Sequence, residues 1–259
     1  MKDNIVILRA PSGISGDMLV TGLAKLSGQG ESLLYEEIQK IGIPELMNAL
    51  ELREEKFNGI SGWKAFVKLP REHHHRTFND IKNILDTSKL SPRSKEIAMD
   101  AFSRLADAEG QVHMIPPDRV TFHEVGALDS ILDICLAASL FDVLGISEFY
   151  CSPLPVCDGT VTCEHGILST PAPAVLNLLK GVPVYGIDSI GETVTPTAIA
   201  LLKAFGTKFG LWPNVLVRNT FRVYGGRILP NIPNGAIFVH GYEYRDHDAK
   251  ISNDFMSKI

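Results

Sequence analysis

Between Leu128 and Leu144 the chain places Leu128, Ile131, Leu132, Ile134, Cys135, Leu136, Leu140, Phe141, Val143 and Leu144 with few polar interruptions. At these spacings apolar side chains cover most of a helix's circumference, and such a helix belongs in the middle of a fold. The rest of the chain must therefore wrap a helix over about 127–144. Its front end carries the exceptions, Asp129, Ser130 and Asp133. A spacing of four sets both aspartates on one face, where like charges repel unless a cation, a proton or a positively charged ligand lies between them. The helix macrodipole explains Asp129, but Asp133 lies a turn further in. The pair is a candidate metal or acid/base site.

His123 and Glu124 precede this helix across Gly126. In an extended stretch they point to opposite sides, so at most one joins the aspartates unless the backbone bends at Val125-Gly126. Carboxylates completed by one imidazole suit Mg²⁺, Mn²⁺ or Ni²⁺ better than structural zinc.

Elsewhere the pattern alternates. Strands are expected at Ile5–Leu8, 49–56, 63–69, 149–156, Thr160–Cys163, 182–185, 221–224 and 236–240. Helices are expected at 18–26, Glu31–Ile41, 78–85 and 92–112, the last opened by Ser91 as N-cap with Pro92 at the first helical position. Thr170-Pro171 and Thr195-Pro196 read as two more starts of the same kind. Gly59 and Gly62 suggest a hairpin. The fold class is α/β or α+β: a mixed sheet packed with helices, with a small α+β insert near residues 45–75. One domain is expected over residues 1–241, followed by a polar tail over 242–259.

With 259 residues the chain can bury a large core, and its net charge of −5 lacks the basic block a nucleic-acid backbone requires. No apolar run reaches the length of a membrane span, and the start is too short in apolar length for a signal peptide. Four cysteines without a CxxC pair point to reduced thiols and a cytoplasmic setting.

Four further stretches carry ligand chemistry. Ser12-Gly-Ile-Ser-Gly-Asp-Met18 is a small-residue turn between a strand and a helix. Such a turn can offer backbone N–H groups to an anion, or simply be tight, with Asp17 as a first-turn acid. It lacks the Gly-Lys-Ser/Thr of a phosphate-binding P-loop. Cys163, Glu164 and His165 stand together before Gly166; a thiolate and an imidazole suit a borderline divalent metal but supply at most two ligands. Gly191-Glu-Thr-Val-Thr-Pro-Thr197 offers the hydroxyls of Thr195 and Thr197 at a helix start, or is an ordinary loop. His73, His74 and His75 form a short tract that binds Ni²⁺, Cu²⁺ or Zn²⁺, or a solvated loop without a role.

Taken in order, these motifs resemble the LarC family of nickel-insertion proteins. The resemblance rests on Ser12–Met18, the histidine run, Phe122–Ile134, Gly159–Gly166, Pro171–Ala174 and Gly191–Thr197, and spans roughly residues 5–240. It implies insertion of Ni²⁺ into a pyridinium mononucleotide bearing two thio-acid groups, giving the nickel pincer cofactor of lactate racemase. One carbon–nickel and two sulfur–nickel bonds form, with CTP and Mn²⁺ or Mg²⁺ as the family's helpers.

Carried over, Asp17, His123, Glu124, Asp129 and Asp133 become the candidate catalytic residues. Ser12, Gly13, Ser15, Gly16, Thr195 and Thr197 become contacts to the mononucleotide or its phosphate. His73, His74, His75, His123, Asp129, Asp133, Cys163 and His165 become candidate metal ligands. Arg9 stands where family members usually carry Asp. The chain stops near where the family's C-terminal nucleotide domain would begin, so CTP use is expected to need a partner chain. A homo-oligomer stays open. Two other readings are carried forward: a nickel-binding or delivery protein without catalysis, and a metal-dependent phosphate-ester hydrolase using Asp129 and Asp133.

Overall fold

A computed structural model gives the fold and describes residues 4–29, 31–69, 76–122, 125–163 and 166–244. The chain opens with strand β1 (Asn4–Arg9), the small-residue turn, helix α1 (Gly16–Ser27) and helix α2 (Glu31–Ile41). The hairpin β2 (Leu50–Phe57) and β3 (Ile60–Val67) follows, turning at Asn58-Gly59 with both residues in the left-handed region. That is the turn chemistry that matches the twist of paired strands.

Next come β4 (Arg76–Thr77), α3 (Phe78–Thr87), α4 (Pro92–His113), β5 (Thr121–Phe122) and the apolar helix α5 (Leu128–Val143). The remainder is β6 (Glu148–Cys151), β7 (Leu154–Val156), β8 (Thr160–Cys163), β9 (Gly166–Ser169), α6 (Pro173–Leu178), β10 (Val184–Gly186), α7 (Pro196–Ala204), β11 (Lys208–Phe209), β12 (Val215–Val223) and β13 (Ala236–Glu243).

Seven strands form one mixed sheet in the order β11-β6-β1-β13-β12-β3-β2. β1 lies inside it, parallel to β6 and antiparallel to β13. The hairpin joins the edge through β3, which meets β12 at Val223 and Trp63. This is the expected mixed sheet with helices. Val6 and Leu8 of β1 point into the main core, while Ile5 and Ile7 pack with Val239 on the opposite face. Both faces of β1 are thus covered, which explains its unbroken apolar run.

α5 lies where its composition requires. Leu132, Cys135, Leu136, Ala137 and Leu140 are fully buried, and α1, α2, α4 and α7 all pack against it. α2 is tied to it by a buried pair: the Ser139 hydroxyl donates to Glu37 Oε2 at 2.5 Å, and Lys40 Nζ lies 2.6 Å from Glu37 Oε1. A buried carboxylate needs such partners. No helix among the described residues is long and apolar enough to cross a membrane.

Ser91 and Thr195 cap α4 and α7 as expected, accepting from Ser94 N at 3.0 Å and Ala198 N at 3.3 Å. Thr170 does not cap α6. Its hydroxyl donates to Cys157 O at 3.2 Å, and the helix opens two residues later with Ala172 as N-cap and Pro173 at the first helical position. The second Pro of Pro-Ala-Pro is the one used. The run expected as one strand over 149–156 divides into β6 and β7, which join different sheets. Ser152 makes the break, its N–H donating to Leu8 O and its hydroxyl accepting from Ala10 N.

Candidate functional site

The two glycine-rich turns meet. Ile14 N donates to Thr193 O at 2.9 Å and Thr195 N to Ile14 O at 3.2 Å, a one-residue parallel bridge between Ile14 and Val194. Gly13 makes the contact possible. Its φ is +97°, and a Cβ there would stand 1.7 Å from Thr193 O. Only a residue without a side chain lets the two backbones approach this closely. The Thr193 hydroxyl then anchors the second turn by donating to Pro155 O at 2.7 Å.

α1 begins at this junction. Ser15 holds the N-cap position, but its hydroxyl donates to Asp17 Oδ1 instead of accepting a helix N–H. The junction walls a cleft of about 280 Å³, reached by Ser12, Gly13, Ser15 and Asp17 from one turn and by Thr193 and Thr195 from the other. The third wall is the loop between β12 and β13, through Gly225, Gly226 and Arg227. Sequence reasoning passed over that loop, although a Gly-Gly-Arg run beside a strand end was there to be read. Gly16 and Thr197 do not line the cleft; Thr197 is buried in the first turn of α7.

The acid pair expected from helix spacing gains a third member, Asp17. Asp133 packs directly behind Gly16, whose added Cβ would lie 2.4 Å from Asp133 Oδ2. Burial pushes the Asp133 carboxyl well above the usual aspartate range, and repulsion from Asp17, then from Asp129, pushes it further. Asp17 is raised as well, chiefly by burial, with its bond from Ser15 pulling the other way. Both residues are partly buried, and of the two only Asp17 lines the cleft. Asp129 is exposed, and its Oδ1 accepts from Ser130 N at 2.7 Å. Asp133 is thus repelled both by Asp129 on its own helix and, more strongly, by Asp17, brought from the far end of the sequence by α1 packing on α5.

His73, His74, His75, His123, Glu124 and His165 lie outside the described residues, as does the Cys163 side chain. The backbone around them is informative all the same. β4 pairs with β5, Arg76 opposite Phe122, and Arg76 Nη1 donates to Gly126 O at 2.7 Å. The residues that follow the histidine run and precede His123 are thus locked together at the front of α5. Cys163 closes β8, and the hairpin of β8 and β9 lends Val161 and Leu168 to a neighbouring cavity of about 170 Å³. Glu192 borders both spaces.

Among the described residues no three His, Cys, Asp or Glu side chains are grouped to hold a metal. Asp17 and Asp133 supply two hard oxygen donors, which suits a divalent cation such as Mn²⁺ or Mg²⁺. Cys135 and Cys151 are buried, each thiol pushed up to about 12 by burial, and so are poor metal ligands at neutral pH. Arg9 donates to Gly210 O at 3.1 Å and stacks on Trp212. It does not line the cleft.

The family model described as nickel insertion protein matches residues 6–254. A protein of Geotalea uraniireducens strain Rf4 with a provisional nickel-insertion name is 39% identical over 237 residues, 92% of this chain and 60% of its own length. The pyridinium-3,5-bisthiocarboxylic acid mononucleotide nickel insertion protein of Desulfitobacterium hafniense strain DCB-2 is 40% identical over 225 residues. That alignment covers 86% of this chain and 54% of the relative. The corresponding protein of strain Y51 is 39% identical over the same shares. The chain thus spans a little over half to three-fifths of the length of these relatives. No solved structure matches it. With the family match running from the first strand past the last, this chain belongs to the nickel insertion protein family.

Proposed function

We propose that the cleft at the start of α1 inserts Ni²⁺ into a pyridinium mononucleotide bearing two thiocarboxylates, yielding the nickel pincer cofactor of lactate racemase. The observation that carries the reading is Asp17 in a cleft walled by two interlocked glycine-rich turns, with the Asp133 carboxyl packed just behind it against Gly16. Two carboxylates in mutual repulsion are stabilised by a cation, and the cleft is at the small end of ligand-site size. Nickel is the cargo.

Ser12, Gly13, Ser15 and Thr195 contact the mononucleotide, while Gly16 gives Asp133 its room and Thr197 steadies the start of α7. Asp17, Asp133 and Asp129 hold the divalent cation and receive nickel, with His123 and Glu124 completing the set. The carbon that bonds nickel must lose a proton. Asp17, made more basic by burial, accepts it. His73, His74 and His75 feed nickel inward, a role supported by the β4–β5 ladder that joins their segment to that of His123. Cys163 and His165 pass nickel to the sulfur ligands. The overall change is a cyclometallation of the lyase class.

The cleft does not fit CTP as well. Its volume suits one mononucleotide, and among the described residues Arg227 is the cation on its walls. CTP therefore belongs to another surface or a partner chain, and no step here runs through it.

The test is to incubate the protein with Ni²⁺, Mn²⁺, CTP and the bis-thiocarboxylate mononucleotide, with and without a relative's C-terminal region in trans. Mass spectrometry should show the nickel adduct with loss of a proton in at least the supplemented reaction. No adduct in either reaction rejects the proposal.

A further inference from the structure

Arg227 reaches the cleft on a loop that is stitched to itself and to α1. The buried Asn234 side chain accepts from Leu229 N at 2.8 Å and donates to Leu229 O at 2.8 Å and Ile232 O at 3.2 Å. The Ser12 hydroxyl donates to Gly235 O at 3.4 Å. Gly225 lies against Met18, since a Cβ there would meet its Sδ at 2.9 Å. The loop is thereby fixed to the turn that opens α1. At Gly226, next to the arginine, an added side chain would meet nothing within 4 Å, so open space lies at this point.

The charged residues lining the cleft among those described are Asp17, Glu192 and Arg227. Arg227 Nη1 stands 3.2 Å from Glu192 Oε2, and its side chain is 59% exposed. With the guanidinium this open to water, solvent screens the pair. A guanidinium fork, by contrast, matches a phosphate through two parallel charged hydrogen bonds. An anionic ligand entering beside two carboxylates needs such a partner.

We propose that Arg227 is the phosphate anchor of the cleft. It exchanges Glu192 for the phosphate monoester of the mononucleotide, which leaves the ring and its thiocarboxylates directed toward Asp17. This rests on the mononucleotide reading above. Phosphate is favoured over a thiocarboxylate because the sulfur groups must reach nickel at Asp17, the aspartate of the cleft lining.

The experiment is calorimetric binding of three probes: nicotinate mononucleotide, nicotinate riboside without the phosphate, and nicotinamide mononucleotide without the carboxylate. Arg227→Met should weaken both mononucleotides by about tenfold or more, the loss expected for a charged hydrogen-bonded contact, and leave the riboside unchanged. Arg227→Lys should fall between, and Glu192→Gln should tighten both mononucleotides. If Arg227→Met weakens the riboside as much as the mononucleotides, the anchored group is the carboxylate and the proposal is wrong. It is also wrong if mononucleotide binding ignores Arg227. Should Arg227→Met fail to match the native melting temperature, the Lys and Gln variants decide by the same comparison. Failure of the native protein to bind any probe removes the mononucleotide reading itself. Binding that ignores Arg227 removes only the anchor.

Discussion

Gly13→Ala should unfold the junction on which the cleft depends, costing roughly 3 kcal/mol or more, or leaving the protein insoluble. Two penalties add. At φ +97° an L side chain is strained, and the new Cβ would overlap Thr193 O at 1.7 Å. The clash is with backbone, so no rotamer relieves it. Relaxation would have to break the Ile14–Thr193 and Thr195–Ile14 hydrogen bonds. Gly28→Ala is the control. It also sits at positive φ, +67° at the end of α1, but nothing lies within 4 Å. It should cost only about 1 kcal/mol, the intrinsic price of that conformation. Urea unfolding midpoints of the two variants separate conformational strain from the lost junction; equal midpoints would mean the turns are not interlocked.

Asp133→Asn should make the protein more stable at neutral pH and much less able to bind nickel. The carboxyl's folded pKa lies well above its ordinary value of 3.8, because of burial and then repulsion from Asp17 and Asp129. A raised carboxylate pKa means the native state holds the proton more tightly than the unfolded state. Its contribution to stability is full below about the ordinary value, falls as pH rises through the window up to the folded pKa, and is flat above that. Asparagine cannot lose a proton, so the variant's stability profile should be flatter, with a gain on the order of 1 kcal/mol at neutral pH. Nickel affinity should drop at least about tenfold, and insertion by about a hundredfold if the carboxylate is a direct ligand. Unfolding curves from pH 3 to 8, beside nickel titrations, check both. A variant that is less stable at neutral pH, or that binds nickel normally, refutes the acid-pair interpretation.

Much of this arrangement could be read in the sequence where physics is local. Ser91-Pro92 and Thr195-Pro196 announced their helices because capping is settled within four residues. The burial of α5 followed from its composition alone. Thr170-Pro171 misled because a second proline, Pro173, offered an equally good start while Thr170 was drawn to Cys157 O. β12 extends back to Val215, beyond the expected start, since Val-Leu-Val-Arg-Asn-Thr has no two-residue alternation and much of that strand is exposed.

The site was half legible for the same reason. Spacing found Asp129 and Asp133 together, but nothing local links Asp133 to Asp17; packing of α1 on α5 does that. The meeting of the two glycine-rich turns and the arrival of Arg227 are equally non-local. They come from the order of β1, β13 and β12 in the sheet, which one sequence does not display.

The most direct measurement is a nickel anomalous-difference map from a crystal soaked in Ni²⁺. The expected result is a peak within coordination distance of both Asp17 and Asp133. Nickel bound only at the histidine run, or nowhere near those two carboxylates, would contradict it.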